Sequence, residues 1–413
     1  MCVLAASLAI PAVSKAEMGA EWTVMIYLDG DNNLDPDSVA DVAEMMEVGS
    51  TDKVKVIVLW DRYDEPAYLY KVLPGGLELL SGLKVNGVDV NGQEVSMADW
   101  HILEAFVDFA KANMPADHYM LDLWDHGNAY GYACWDDHAA PEWATPDKAI
   151  SLAQVIDSLA GTGMTDILTY DGCTIGMIEI AYQLTLIPSD KDVQVGYLVA
   201  SEEYVPNAGY AYDDILAEMN AMTDLSAVSV SHMLADLFAD TYSPHGAAKG
   251  SSTVGLSAID FQNIVPVVPV IKSLTDLLKE GLSADFDEYH NLIAKARGAG
   301  NLGWSLNGWD DRIDIGQFLL TLSQITDDQE IRSLAKEAFD MLVEAVYAAN
   351  TPALASAGAY GLGVWFPTSM RSLGNANTGG YGVITLYTSA FAFAQDAGWM
   401  SFLNSFWGNK VPK

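Results

Sequence analysis

Cys173, in the stretch DILTYDGCTIGM (166–177), stands where a thiol could do chemistry. It lies just past a short apolar run, at the point where a strand hands over to a loop. A structural thiol usually sits inside such a run. The chain has only three cysteines. Cysteine attacks as the thiolate, which needs a base or a cation nearby at neutral pH. Histidine is the natural partner, and there are seven. His101, His232 and His290 fall in helical patterns, His118 opens a strand, and His138 and His245 lie in loops. His126 alone follows a buried run, in LDLWDHGNAYG (121–131).

A strand-end histidine and a strand-end cysteine on one sheet make an acyl-transfer site. His126 would act as base and then as acid, and Cys173 would attack a carbonyl carbon. The N–H groups of Gly127 and Cys173 would form an oxyanion hole, worth on the order of 3 kcal/mol per donor. Gly127 has no side chain, so its backbone can approach a ligand closely. Asp125 or a backbone carbonyl could orient the imidazole. Two other readings stay open and a third fails. Cys134 and Cys173 could form a disulfide, as in oxidising compartments. His126, Cys134, Asp136, Asp137 and His138 could bind a transition metal, although their spacing matches no common zinc pattern. DGDNNLDPD (29–37) resembles an EF-hand opening, but Leu34 and Ala40 stand where Gly and Glu are required.

The elements that must position these residues alternate. Residues 22–28, 54–60, 118–124, 166–170 and 195–201 read as strands from their length and their branched or aromatic content. Helical patterns lie near 37–48, 98–113, 151–160 and 175–186. This alternation predicts an α/β fold, a mostly parallel sheet with helices on both faces. The strands end in the polar clusters DGDNN, DRYDE, DHGN, DGC and SEEY. Ligands bind beyond the carboxyl ends of parallel strands, so the clusters predict one active edge. After about residue 245 the pattern becomes helix-rich, with helices near 261–280, 285–298, 315–325 and 328–349. Strands are predicted at 252–259 and 361–367, and they could join the first sheet. The domains expected are 22–245, catalytic, and 246–413, a C-terminal extension.

Composition excludes several classes. The chain has 413 residues, 56 acidic and 20 basic, and a net charge of −36. Such a surface repels phosphate, so neither nucleic acid nor an anionic membrane is an expected partner. At the amino terminus an apolar run is followed by Ser14-Lys15-Ala16, which fits a signal-peptidase site after residue 16. The expectation is a signal peptide over 1–16, a secreted or cell-surface protein, and no membrane span in the mature chain.

Several motifs in order carry a resemblance. They are WTVMIYLDGDNNLD, LDLWDHGNAYG, LTYDGCTIGMIEIAYQL, VASEEYVPNAGYAY, GLSAID, DIGQFL, GLGVWFP and the closing AFAQDAGWMSFLNSF. Together, over about residues 22–407, they resemble the clostripain family of cysteine peptidases, related in fold and dyad to caspases, legumains and gingipains. His126 and Cys173 are 47 positions apart, near the caspase interval. The resemblance implies a caspase-like α/β/α sandwich and a His126–Cys173 dyad. It implies cleavage after Arg or Lys, with Asp171 as the acid at the pocket floor and Glu202 and Glu203 bordering it. It also implies self-cleavage between His126 and Cys173, where Lys148 is the one basic residue. Calcium is an expectation from the family, and the chemistry itself needs no cofactor. Ala129, Gly172, Thr174 and Ile175 depart from the family pattern, which bears on pocket shape. The rival readings are a non-catalytic secreted protein on the same fold and a dyad with a non-basic preference.

Overall fold

Successive residues of a strand point to opposite faces, and both faces of the central strands here are apolar. The computed structural model describes residues 19–408 apart from 130–131, 142, 144, 146–147, 163–164, 188–195, 247–252, 302–311, 369–386 and 388–390. The leader expected at 1–16 lies outside the described residues.

The strands are β1 (Ala20–Gly30), β2 (Val54–Arg62), β3 (Glu65–Leu73), β4 (Gly76–Leu79), the short β5 (Lys84–Val85) and β6 (Val88–Asp89), and β7 (Ala116–Trp124). After them come β8 (Tyr132–Trp135), β9 (Ala149–Ser151), β10 (Ile167–Asp171) and β11 (Tyr197–Ala200). The last are β12 (Gly255–Asp260), β13 (Arg312–Asp314), β14 (Val346–Asn350) and β15 (Gly363–Trp365). Nine of them form one sheet in the order β14-β12-β11-β10-β7-β1-β2-β3-β4. The five central strands, β2 to β11 in that order, run parallel. On the flanks the neighbours β2–β3, β3–β4, β11–β12 and β12–β14 pair antiparallel.

Val24, Ile26 and Leu28 of β1 face one layer, built on the helices Asp35–Val48, Tyr212–Ala221 and Ala227–Thr241. Met25 and Tyr27 face the other, with the helices Trp100–Asn113 and Leu152–Thr162. Burial on both faces explains why these strands read as unbroken apolar runs. The later helices Val267–Ala284, Phe286–Gly300, Ile315–Ile325, Gln329–Ala345 and Trp399–Phe406 join the second layer through Ile271, Ile293, Phe318, Leu342 and Phe402. The architecture is the expected α/β/α sandwich.

The structure revises several boundaries. The helix read over 328–349 ends at Ala345, and Val346–Asn350 becomes β14, an edge strand paired with β12. The helix read over 261–280 breaks at Pro266 into Phe261–Ile264 and Val267–Ala284; proline cannot donate the helical hydrogen bond. Of the late strands, β12 and β14 join the main sheet, while β15 pairs with β13 and bridges to Met177. No helix among the described residues is long and apolar enough to cross a membrane.

Candidate active site

Strand register brings His126 and Cys173 together. Asp171, the last residue of β10, pairs with Trp124, the last of β7. Two residues beyond each, Cys173 and His126 leave the sheet side by side. Both line one pocket with Leu34, Trp124, Asp171, Val205 and Gly209. The approach is close enough to require glycine. A Cβ on Gly127 would lie 2.6 Å from the carbonyl oxygen of Cys173, and one on Gly172 would lie 2.8 Å from that of Asp125. Thr174, next to the nucleophile, is left-handed at φ 61°, so the chain turns sharply there.

His126 is held by a residue the sequence reading did not single out. Its Nε2 lies 3.0 Å from Oδ1 of Asn33. With an amide oxygen as acceptor, Nε2 carries the proton and Nδ1 keeps the lone pair. Asp125 does not take this role. Its carboxylate accepts Nδ2 of Asn32 at 2.9 Å and the N–H of Trp135. It thereby ties the loop after β1 to β8.

The Cys173 thiol donates to the carbonyl of Val205 at 3.6 Å. Burial pushes the thiol up from its ordinary value and pushes the His126 imidazole down. Both shifts favour neutral partners, because a desolvated pocket penalises charge. Burial thus favours the thiol form of Cys173 and the neutral imidazole of His126.

Asp171 lines the same pocket and is 5 % exposed. Its Oδ2 accepts the N–H of Tyr210 at 2.8 Å and the hydroxyl of Tyr212 at 3.2 Å. The same hydroxyl donates to Asp122 at 2.7 Å, and Asp122 accepts the N–H of Asp171. Burial pushes the Asp171 carboxyl up to about 7, against the pull of these hydrogen bonds. Gly209 makes room for it: φ there is 50°, and a Cβ would sit 2.4 Å from Oδ2 of Asp171. Gly209→Ala is expected to cost at least about 1–2 kcal/mol for the left-handed backbone alone. Urea denaturation measures this as a lower midpoint at unchanged slope.

Glu202 is a correction. Its carboxyl is buried beside Asp314 and the N–H of Gly361, outside the lining of this pocket. Glu203 is also buried, and burial pushes it up to about 8 with Arg312 pulling against it. The disulfide reading is corrected as well. Cys134 and Cys173 are both free, with Cys134 packed in the core and Cys173 in the pocket. The metal reading divides among separate contacts. Asp136 accepts the N–H of Met97 at 2.6 Å, and His138 pairs with Asp31 at 2.8 Å. Among the described residues no group of three or more His, Cys, Asp or Glu is placed to hold a metal ion.

Lys148 stands just before β9 with its side chain 70 % exposed. Its carbonyl accepts the N–H of Asp136 at 3.0 Å. That bond holds the residue at the edge of the small β8–β9 pair.

The sheet and the helix Asp35–Val48 packed on it bury an unusual set of acids: Asp29, Asp41, Asp61, Asp122, Asp125 and Asp136 are each 5 % exposed or less. Burial raises all of them, Asp41 and Asp136 to about 9. The folded chain thus holds protons that the unfolded chain releases near pH 4. Their contribution is present in full below that value and is lost as pH rises through the folded values. His126 and His232 are lowered and act in the opposite sense, but they are only two. Calorimetry should show the melting temperature falling between pH 5 and 9; a rise over that range contradicts the assignment.

The fold is an α/β/α sandwich, and its pocket joins a histidine and a cysteine carried by the ends of two neighbouring parallel strands. Residues 26–406 match the clostripain family, and the chain belongs to it. Over 238 residues it is 29% identical to clostripain of Hathewaya histolytica, a stretch that is 51% of this chain and 44% of that protein. The match thus spans less than half the length of that relative. The fold is similar to that of a secreted C11 cysteine protease from Bacteroides thetaiotaomicron in complex with an irreversible peptide inhibitor. The TM-score is 0.62 at 16% identity, covering 92% of this chain and 99% of that one. An inactive zymogen C11 protease from Parabacteroides distasonis has the same TM-score, 0.62, at 15% identity over 92% and 99%.

Proposed function

We propose that the protein is a secreted cysteine endopeptidase that cleaves after Arg or Lys and processes itself after Lys148. One observation carries the reading: His126, Cys173 and the buried carboxyl of Asp171 line the same pocket. A basic side chain entering it would meet Asp171 in a charge-assisted contact that a neutral side chain cannot replace. The substrate carbonyl would then lie over Cys173. The thiol leaves Val205, passes its proton to Nδ1 of His126, and the sulfur attacks the carbonyl carbon. The N–H groups of Gly127 and Cys173 take the oxyanion. His126 returns the proton to the leaving amine, leaving a thioester on Cys173. Water then gives a proton to His126 and attacks the thioester, and the acid product leaves as the thiol is restored.

Secretion is supported by the Ser14-Lys15-Ala16 pattern and by a secreted protein among the structural relatives. Self-processing is supported by the exposure of Lys148. Its carbonyl must first part from Asp136, so the β8–β9 pair has to open locally. Calcium enters no step of this chemistry. Buried oxygens of Asp29, Asp61 and Glu94 lack hydrogen-bond partners, the donor type calcium takes, but they do not converge into a site. The calcium expectation is tested by melting temperature with chelator and with added calcium; no change removes it.

The deciding assay is a panel of fluorogenic peptides varied at the residue before the cut, run with reductant. Hydrolysis confined to Arg and Lys peptides supports the reading, and equal cleavage of apolar or acidic ones sinks the specificity. Self-processing predicts two fragments split after Lys148 in active protein, while Cys173→Ala stays whole. Full activity of intact wild-type protein would remove cleavage as the activating step.

A further inference from the structure

One cation beside the site has no role in this chemistry. The chain has five arginines, and Arg312 opens β13, far along the sequence from the dyad. Its Nη1 donates to the carbonyl of Glu202 at 3.3 Å. Its guanidinium lies over the ring of Tyr204, 5.7 Å from the centroid. The segment it grips touches the nucleophile's turn twice. The Glu203 carbonyl accepts the N–H of Thr174 at 2.8 Å, and the Val205 carbonyl accepts the Cys173 thiol at 3.6 Å. One guanidinium thus fastens the strand end that frames Cys173.

The charge is as telling as the contacts. In a chain with 56 acidic residues, no carboxylate among the described residues stands within ion-pair distance of Arg312. Its positive charge acts on the buried Glu203 carboxyl and on the Cys173 thiol without closing an ion pair with either. Burial raises the Cys173 thiol and Asp171 and Asp125 add to that, while the Val205 carbonyl and Arg312 work against it. Arg312 is the one cation among these influences.

We propose that Arg312 is a positioning residue for the nucleophile: it clamps residues 202–205 against Cys173 and supplies the positive charge that favours the thiolate in a carboxylate-rich pocket. The proposal rests on Cys173 as the nucleophile. It separates two contributions, because lysine can replace the charge but not the planar donor or its stacking on Tyr204.

The test is the pH dependence of Cys173 alkylation by iodoacetamide, read by peptide mapping on full-length wild type, Arg312→Gln and Arg312→Lys. Arg312→Gln should raise the apparent thiol pKa by roughly one unit, the effect of removing one favourable charge. Alkylation at pH 7 should fall about tenfold in step. Arg312→Lys should keep the wild-type alkylation profile while kcat/KM on cleavable peptides falls several-fold. A Gln profile that overlays wild type overturns the charge role. If the Gln variant fails to fold by circular dichroism, the Lys variant decides: a profile shifted upward in a folded protein overturns the proposal, and an unshifted one with reduced kcat/KM upholds it. Alkylation reads the thiol whether or not peptides are cut. A wild-type protein without peptidase activity but with the Gln shift therefore refutes the proposed function and leaves the role of Arg312 standing.

Discussion

Cys173→Ala and His126→Ala should each remove peptidase activity to the background of the assay. Nucleophile and base act as a unit, and loss of either member of such a pair typically costs about as much as loss of both. Burial favours the neutral form of both side chains, so on the proposed mechanism the sulfur becomes nucleophilic only as its proton moves to His126. The double variant should therefore be no worse than either single one. Additive losses, or full activity in either variant, would refute the assignment. Because Cys173 and His126 are only partly buried and hold no secondary structure, both variants should melt near wild type.

Asp171→Asn carries the second large effect. Removing a buried charge partner costs about 2–5 kcal/mol of discrimination, so kcat/KM for Arg and Lys peptides should drop by roughly two orders of magnitude. Peptides with an apolar residue before the cut should barely change. The pH profile adds a sharper criterion. Burial pushes Asp171 up to about 7, and a cationic side chain binds its ionised form. In wild type kcat/KM for basic peptides should rise about tenfold between pH 6 and 8, because this ratio reports the free enzyme. In Asp171→Asn that limb disappears. What remains is the limb of His126, which burial moves below the ordinary histidine range. An unchanged profile would place the recognition of the basic side chain elsewhere.

Much of the frame was readable because it is local. The apolar runs of β1, β2, β7 and β10 and the polar clusters at their ends announced a parallel sheet with one active edge. Residues carried by those ends, His126, Cys173 and Asp171, could be named from one dimension. Partners that depend on long-range geometry could not. Asn33 meets His126 across 93 positions, and nothing in DGDNN marks which asparagine faces the imidazole. Tyr212 reaches Asp171 and Asp122 from a helix that the sequence reading did not place. Glu202 follows the same logic in reverse. It stands at a strand end like the others, but its side chain turns into the interior beside Asp314, and strand position alone does not tell which way a side chain goes. At β14, an apolar helical period running up to residue 345 hid the switch to an edge strand.

The order of the strands has a consequence for how the protein is made. A ribosome delivers His126 and Cys173 early, but the sheet that carries them is closed on one flank by β12 and β14, and the clamp on the Cys173 turn comes from β13. Every one of these pairings spans many tens of residues, and such long-range closures form late and slowly. A nascent chain therefore presents the dyad residues well before it presents the framework that aligns them. Through most of synthesis the polypeptide is translated without a finished pocket, a delay written into topology.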